Sequence, residues 1–314
     1  MSIDRKTFLR RTALGAAGLV AGNSLRGAEA IDTAAALPAF DAGEPEKFWR
    51  AVRAQYPLTP KLTYFNTGGL GPASSPVLAL AAQTTRQLQE KSEHGHSLFE
   101  AARETLAHFL GAEPAEIAFV RNATEGNAIV AAGVKLTPGD EVIFESHAHP
   151  GGSFPWVNQE KLRGITVKIF EPDPHDAAGN VARIQALMTA RTRVVQVSHV
   201  TAPTGILMPV GAIARLCRER GVWFHLDGAQ SAGMFPFRMR ELGCDSFATS
   251  GHKWLGAPHE TGVLWVKRER LDEVVATLVG AYSGELEFLP GEFRLSPTAM
   301  RYEYGTRNAA AIVA

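Results

Sequence analysis

The sequence predicts an α/β protein built on a mostly parallel sheet wrapped by helices, and three observations carry that prediction. From about residue 60 onward, short apolar runs rich in β-formers alternate with longer segments of helical pattern, the order that lays helices on the faces of a parallel sheet. Asp and Glu are absent from the interiors of those runs, as expected of strands buried on both faces. A chain of 314 residues that is 45% apolar is long enough to bury the core such a sheet needs.

Residues 1–30 precede this pattern and differ from it. Arg5, Lys6, Arg10 and Arg11 stand before a weakly apolar run at 13–21, which is too short to span a bilayer. Ala28-Glu29-Ala30 follows with A-x-A spacing, so the segment reads as a removable export signal cut after Ala30. The string from Asp4 to Arg10 resembles a twin-arginine (Tat) signal with Lys6 in place of the second arginine, and that route carries folded proteins to the periplasm. Residues 31–59 form a lead-in, 60–285 a large domain, and 286–314 the start of a C-terminal small domain that is expected to be incomplete.

Within the large domain, Ser75 is placed to cap a helix running to about Lys91, with Pro76 in its first turn, where a missing N–H leaves no bond unmade. The run 117–120 leads into a helical stretch that opens at 121–127, and the runs 141–144, 166–170, 193–197, 222–226, 245–249 and 262–266 read as strands. A helix over 210–220 is ended by Gly221, since glycine takes up the left-handed cap at no steric cost. No internal repeat or low-complexity linker interrupts this order. Cys217 and Cys244 do not make a disulfide scaffold, and Cys217 lies on a helical stretch that reads as core.

Charge narrows the partners. Lys plus Arg and Asp plus Glu both number 32, so no basic excess draws the chain to nucleic acid or to an anionic membrane surface. Recognition has to be local and chemical.

Ligands of an open α/β sheet bind at the carboxyl ends of its strands, and two residues stand at such ends. Asp227 follows the run 222–226 and is itself followed by Gly228, Ala229 and Gln230; it reads either as a cap for the following turn or as a site carboxylate. Lys253 closes Ser250-Gly251-His252-Lys253 after the run 245–249. A lysine amine that forms a Schiff base must be held neutral in a shielded place beside a cofactor acting as electron sink. The sink works best when its ring nitrogen stays protonated, which a facing carboxylate such as Asp227 ensures. Thr124, in Asn122-Ala123-Thr124-Glu125, is placed to cap the helix that opens there, either as a plain N-cap or as one that also meets a phosphate at the helix N-terminus.

With Tyr64-Phe65-Asn66-Thr67-Gly68, Asn122-Ala123-Thr124-Glu125, His199-Val200-Thr201-Ala202-Pro203-Thr204-Gly205, Asp227-Gly228-Ala229-Gln230, Ser250-Gly251-His252-Lys253 and Arg301-Tyr302-Glu303-Tyr304-Gly305-Thr306 in this order, the chain resembles the class V aminotransferases, a family that includes cysteine desulfurases, kynureninase and isopenicillin N epimerase. The likeness spans about Tyr64 to Asn308. It implies the three-layer, seven-stranded, aspartate aminotransferase-like fold of pyridoxal 5'-phosphate (PLP) enzymes. It makes Lys253 the Schiff-base lysine, Asp227 the partner of the ring nitrogen and Gln230 the partner of the ring hydroxyl. Ala123, Thr124, Ser250 and His252 would surround the phosphate, and Thr201 joins the cofactor-binding set. His149, seven residues before Trp156, would stack on the ring, and Asn66 and Thr67 would lie beside the substrate. Thr306 would reach the phosphate of a neighbouring subunit, which implies a homodimer.

Departures from the family pattern shape the functional expectation. Ala202 stands where many desulfurases have Asn, and His-Val-Thr-x-Pro-Thr-Gly is more similar to the isopenicillin N epimerase branch. No cysteine follows Cys244, so the persulfide-carrying loop of desulfurases has no counterpart after Lys253. Arg294, Arg301 and Arg307 do not match the arginine that clamps the substrate carboxylate in the family. The expectation is a PLP enzyme acting on an amino acid or small amine, with transamination, epimerisation and elimination left open. The alternatives are an exported PLP-fold binding protein without turnover, and a metal-dependent hydrolase using the His147/His149 or His94/His96 pairs, since histidines two apart on a strand share a face.

Overall fold

Seven strands make one sheet in the computed structural model, which describes residues 37–287 and 292–314. The predicted export signal lies outside the described residues. The strands are β1 (Ile117–Val120), β2 (Glu141–Glu145), β3 (Thr166–Phe170), β4 (Thr192–Ser198), β5 (Trp223–Asp227), β6 (Ser246–Ser250) and β7 (Gly262–Val266), in the order β1-β7-β6-β5-β4-β2-β3. Pairings among β2 to β6 are parallel, and β7 alone runs against its neighbours β1 and β6.

The helices are α1 (Pro45–Ala54), α2 (Ser75–Lys91), α3 (Phe99–Leu110), α4 (Ala123–Gly133), α5 (Pro150–Arg163), α6 (Ala177–Leu187), α7 (Val210–Arg220), α8 (Met239–Leu242) and α9 (Ala309–Val313). Successive strand residues face opposite sides of the sheet, and each side has its own core. Val195, Val197, Phe224 and Leu226 pack with Ile184 of α6 and Ile213 of α7 on one side. Val142, Phe144, Val194 and Trp223 pack with Ile129 of α4 and Trp156 of α5 on the other. Three layers result.

Two details differ from the sequence reading. The N-cap of α2 is Ser74, not Ser75, and it makes no side-chain cap bond; Pro76 in the first turn presets the helix instead. β5 includes Asp227 as its last residue, so the sheet holds the backbone from which the carboxylate projects. The α7 stop is as expected: Gly221 has φ 65°.

Residues beyond Thr298, placed by sequence at the start of a small domain, pack on the large one. The Tyr302 hydroxyl donates to the carbonyl of Val274 at 2.9 Å. The Glu303 carboxylate receives the Arg103 guanidinium at 2.7 Å and the Phe119 N–H at 2.7 Å. Ala309 of α9 joins Phe99 and Phe119 in a third apolar cluster. Among the described residues, no helix is long and apolar enough to cross a membrane.

Candidate cofactor-binding site

The carboxyl ends of β1, β4, β5 and β6 open into a cavity of about 540 Å³, within the size range of small-molecule sites. Lys253, Asp227, Gln230, Ser250 and His252 line it from β5, β6 and the turns after them. Ala123, Thr124, His149, Thr201 and Asn66 line it from the remaining elements. Thr67 and Thr306 are not among its lining residues.

Asp227 is buried and lines the cavity. Its Oδ1 accepts the Ala229 N–H at 3.0 Å, capping the turn, while Oδ2 accepts from Asn127 Nδ2 at 2.8 Å. The turn tolerates only glycine at 228, because a Cβ there would overlap the Phe247 ring. Gly152 of α5 is equally constrained, since a Cβ would stand 2.7 Å from Asp227 Oδ2.

Lys253 is fixed through its backbone. The Gly71 N–H donates to the carbonyl of His252 at 2.7 Å, and a Cβ on Gly71 would overlap the Lys253 carbonyl. The strand-free segment 66–71 is thereby clamped against the lysine. Burial holds the Lys253 ammonium below the usual lysine range, with the Asp227 charge opposing the shift; a buried amine is easier to keep neutral.

At the other end of the cavity, α4 presents its N-terminus. Its N-cap is Asn122, whose Oδ1 accepts the Glu125 N–H at 2.9 Å. This corrects the expectation that Thr124 caps the helix: Thr124 is its second residue, which leaves the hydroxyl free to face the cavity. Ser250 Oγ accepts the Ala123 N–H at 2.9 Å and ties β6 to this helix start. His252 Nδ1 is buried with no partner among the described residues.

His149 caps α5, its Nδ1 accepting the Gly151 N–H at 3.0 Å, so the proton sits on Nε2. Gln230 is engaged by protein groups: Nε2 donates to the Gly68 carbonyl and Oε1 accepts from Trp254 Nε1, both at 2.8 Å. One N–H of its amide is left for a ligand. His147 does not line the cavity; it bridges Thr204 at 2.9 Å and Glu171 at 2.9 Å, an acidic neighbour that the sequence did not reveal. Among the described residues no group of three or more His, Cys, Asp or Glu side chains gathers as a metal would require.

Sequence reasoning missed Asn127 and His225. Asn127 lies one turn into α4 and touches Asp227, and His225 stands two residues before Asp227 on the same strand, with Nε2 2.8 Å from Asn127 Oδ1. A signal existed: period two puts His225 and Asp227 on one face, and a histidine inside an otherwise apolar strand asks for a partner.

The Aminotransferase class-V family model matches residues 75–314. The chain belongs to that family. The isopenicillin N epimerase of Amycolatopsis lactamdurans is 33% identical over 226 residues, covering 69% of this chain and 56% of the relative. A probable cysteine desulfurase of Pseudomonas aeruginosa is 33% identical over 242 residues, covering 74% of this chain and 58% of its own. The chain therefore spans less than two thirds of these class V relatives. Among solved structures, a C-DES mutant with glycine covalently linked to its PLP cofactor superposes with a TM-score of 0.78 at 29% identity, covering 83% of this chain and 71% of that one.

The cavity of this class V chain fits PLP on its own terms. It offers a half-buried lysine for the carbonyl carbon and a buried carboxylate for the ring nitrogen. For the phosphate it offers a helix N-terminus with a serine hydroxyl, a threonine hydroxyl and the partnerless His252 Nδ1, the donor set that anions select.

Proposed function

We propose that this chain is the cofactor-binding part of a PLP-dependent enzyme acting on an amino acid or small amine, with Lys253 as the attachment residue. The observation that carries the reading is the convergence of Lys253, Asp227 and the N-terminus of α4 on one cavity. When bound, PLP supplies an electron sink for the bond broken at the substrate α-carbon.

The chain's residues do the rest. Lys253 Nζ, disfavoured as an ammonium by burial, takes and returns the α-proton. Asp227 keeps the proton on the ring nitrogen. Thr124, Ser250 and His252, with Ala123 tying the helix start to Ser250, would anchor the phosphate, so that the reacting carbon stays within reach of Nζ, and His149 would cover one ring face. Thr201, Asn66 and the remaining amide N–H of Gln230 bound the space beside the ring.

Among reaction subtypes, the string His199 to Gly205 favours proton chemistry at the α-carbon. Cys217 and Cys244 are both buried and outside the cavity. Burial pushes the Cys217 thiol up to about 12 and the Cys244 thiol higher still, so neither offers a thiolate. The curated relatives include an epimerase and a probable cysteine desulfurase, both at 33% identity.

The proposal extends to assembly and place. Thr306 is exposed and outside the cavity, available to the phosphate of a second copy in a homodimer. Residues 1–30 would direct the chain to the periplasm, which fractionation of the native host checks. Purified protein supplied with PLP is expected to show a visible absorbance band that borohydride removes. Lys253→Ala is expected to lack it, and a bleachable band in that variant would reject Lys253.

A further inference from the structure

Behind Asp227 runs an unbroken file of buried hydrogen bonds. Trp223 Nε1 lies 2.9 Å from Ser246 Oγ, Ser246 Oγ 2.7 Å from His225 Nδ1, and His225 Nε2 2.8 Å from Asn127 Oδ1. Asn127 Nδ2 closes the file on Asp227 Oδ2 at 2.8 Å and also reaches the Gly151 carbonyl at 3.2 Å. His225, Asn127 and Ser246 are each 0% exposed.

The ends fix the direction of every bond. An indole N–H only donates and a carboxylate only accepts, so Ser246 receives from Trp223 and gives its own proton to His225 Nδ1. His225 then carries its proton on Nε2 and donates to Asn127 Oδ1, which turns the amide so that its NH₂ faces Asp227. Burial keeps the imidazole neutral, its ionisation pushed down to about 3, so the file does not change direction across the physiological range.

We infer that Asn127, which itself reaches the cavity lining, is a positioning residue for Asp227, oriented by His225. The inference rests on the PLP reading above and deepens it. Asp227 has two protein bonds, to Ala229 N–H and to Asn127. The first belongs to its own turn, and the second comes from another element and orients the carboxylate that would face the ring nitrogen. Gly152 leaves the room: a Cβ there would stand 2.7 Å from Asp227 Oδ2 and 3.5 Å from Asn127 Nδ2.

The test is a double-mutant cycle on cofactor affinity. Protein stripped of cofactor is titrated with PLP, and Kd is read from absorbance for wild type, Asn127→Leu, Asp227→Asn and the double variant. Loss of one bond to a charged group predicts a rise in Kd of about tenfold for Asn127→Leu, and less than about twofold when the same change is made on Asp227→Asn. Kd of Asn127→Leu is also expected to rise with pH where wild type stays flat, because a misaligned carboxylate no longer holds the ring proton.

Equal effects in both backgrounds, or an Asn127→Leu variant with wild-type Kd, would overturn the positioning role while leaving the cofactor site standing. A wild-type protein that takes up no PLP would overturn the cofactor reading itself. Circular dichroism confirms folding, and Asn127→Ser carries the same cycle if Asn127→Leu does not fold.

Discussion

Glu145 ends β2 with one carboxylate oxygen accepting the Ser198 N–H at 2.9 Å and the other buried without a partner among the described residues. Burial pushes its ionisation from 4.5 up to about 7. A carboxyl raised in the folded state contributes stability that is complete below pH 4.5 and is lost as pH rises through about 7. Glutamine does not titrate, so Glu145→Gln is expected to gain on the wild type by on the order of 2–3 kcal/mol between pH 5 and pH 8. Urea unfolding at the two pH values checks this, and a constant difference would contradict the buried, protonated state. Residues of this kind explain what was legible at this scale. The placement of Lys253 and Asp227 on the cavity could be read because strand-end position and local string are sequence properties. Asn127, His225 and Glu145 could not, because their roles come from neighbours roughly 50 to 100 positions away in the chain.

At the scale of elements, the helix that faces the phosphate depends on its cap. Asn122 has φ −173° and ψ 174°, extended backbone from which its Oδ1 reaches the Glu125 N–H. Asn122→Ala is expected to lower stability by about 1 kcal/mol, measured by chemical denaturation; an unchanged midpoint would place the cap elsewhere. The sequence named this helix but gave the cap to Thr124, since Asn and Thr are both good caps and only the backbone decides which turns first. The β3 and β7 limits and the α7 stop were legible because apolar periodicity and Gly221 state them locally. The antiparallel direction of β7 was not, because it depends on the connection returning along the sheet toward β1.

For the whole molecule, the alternating pattern foretold a helix-covered parallel sheet, and family strings supplied its seven strands. What local pattern did not show is how residues after Thr298 pack back onto the large domain through Tyr302, Glu303 and Ala309, because those contacts join distant parts of the chain. The same view bears on assembly. Phe65 is 92% exposed and Met234 41% exposed at the cavity rim, apolar surface suited to a second copy of this chain. Sedimentation of the purified protein is expected to give a dimer at micromolar concentration, and a monomer there would remove the role offered to Thr306. The central claim is attachment of the cofactor at Lys253, and mass spectrometry after borohydride reduction of the PLP-loaded protein tests it most directly. The reduced adduct is expected on the peptide containing Lys253, and an adduct on another lysine, or none at all, would rule this attachment out.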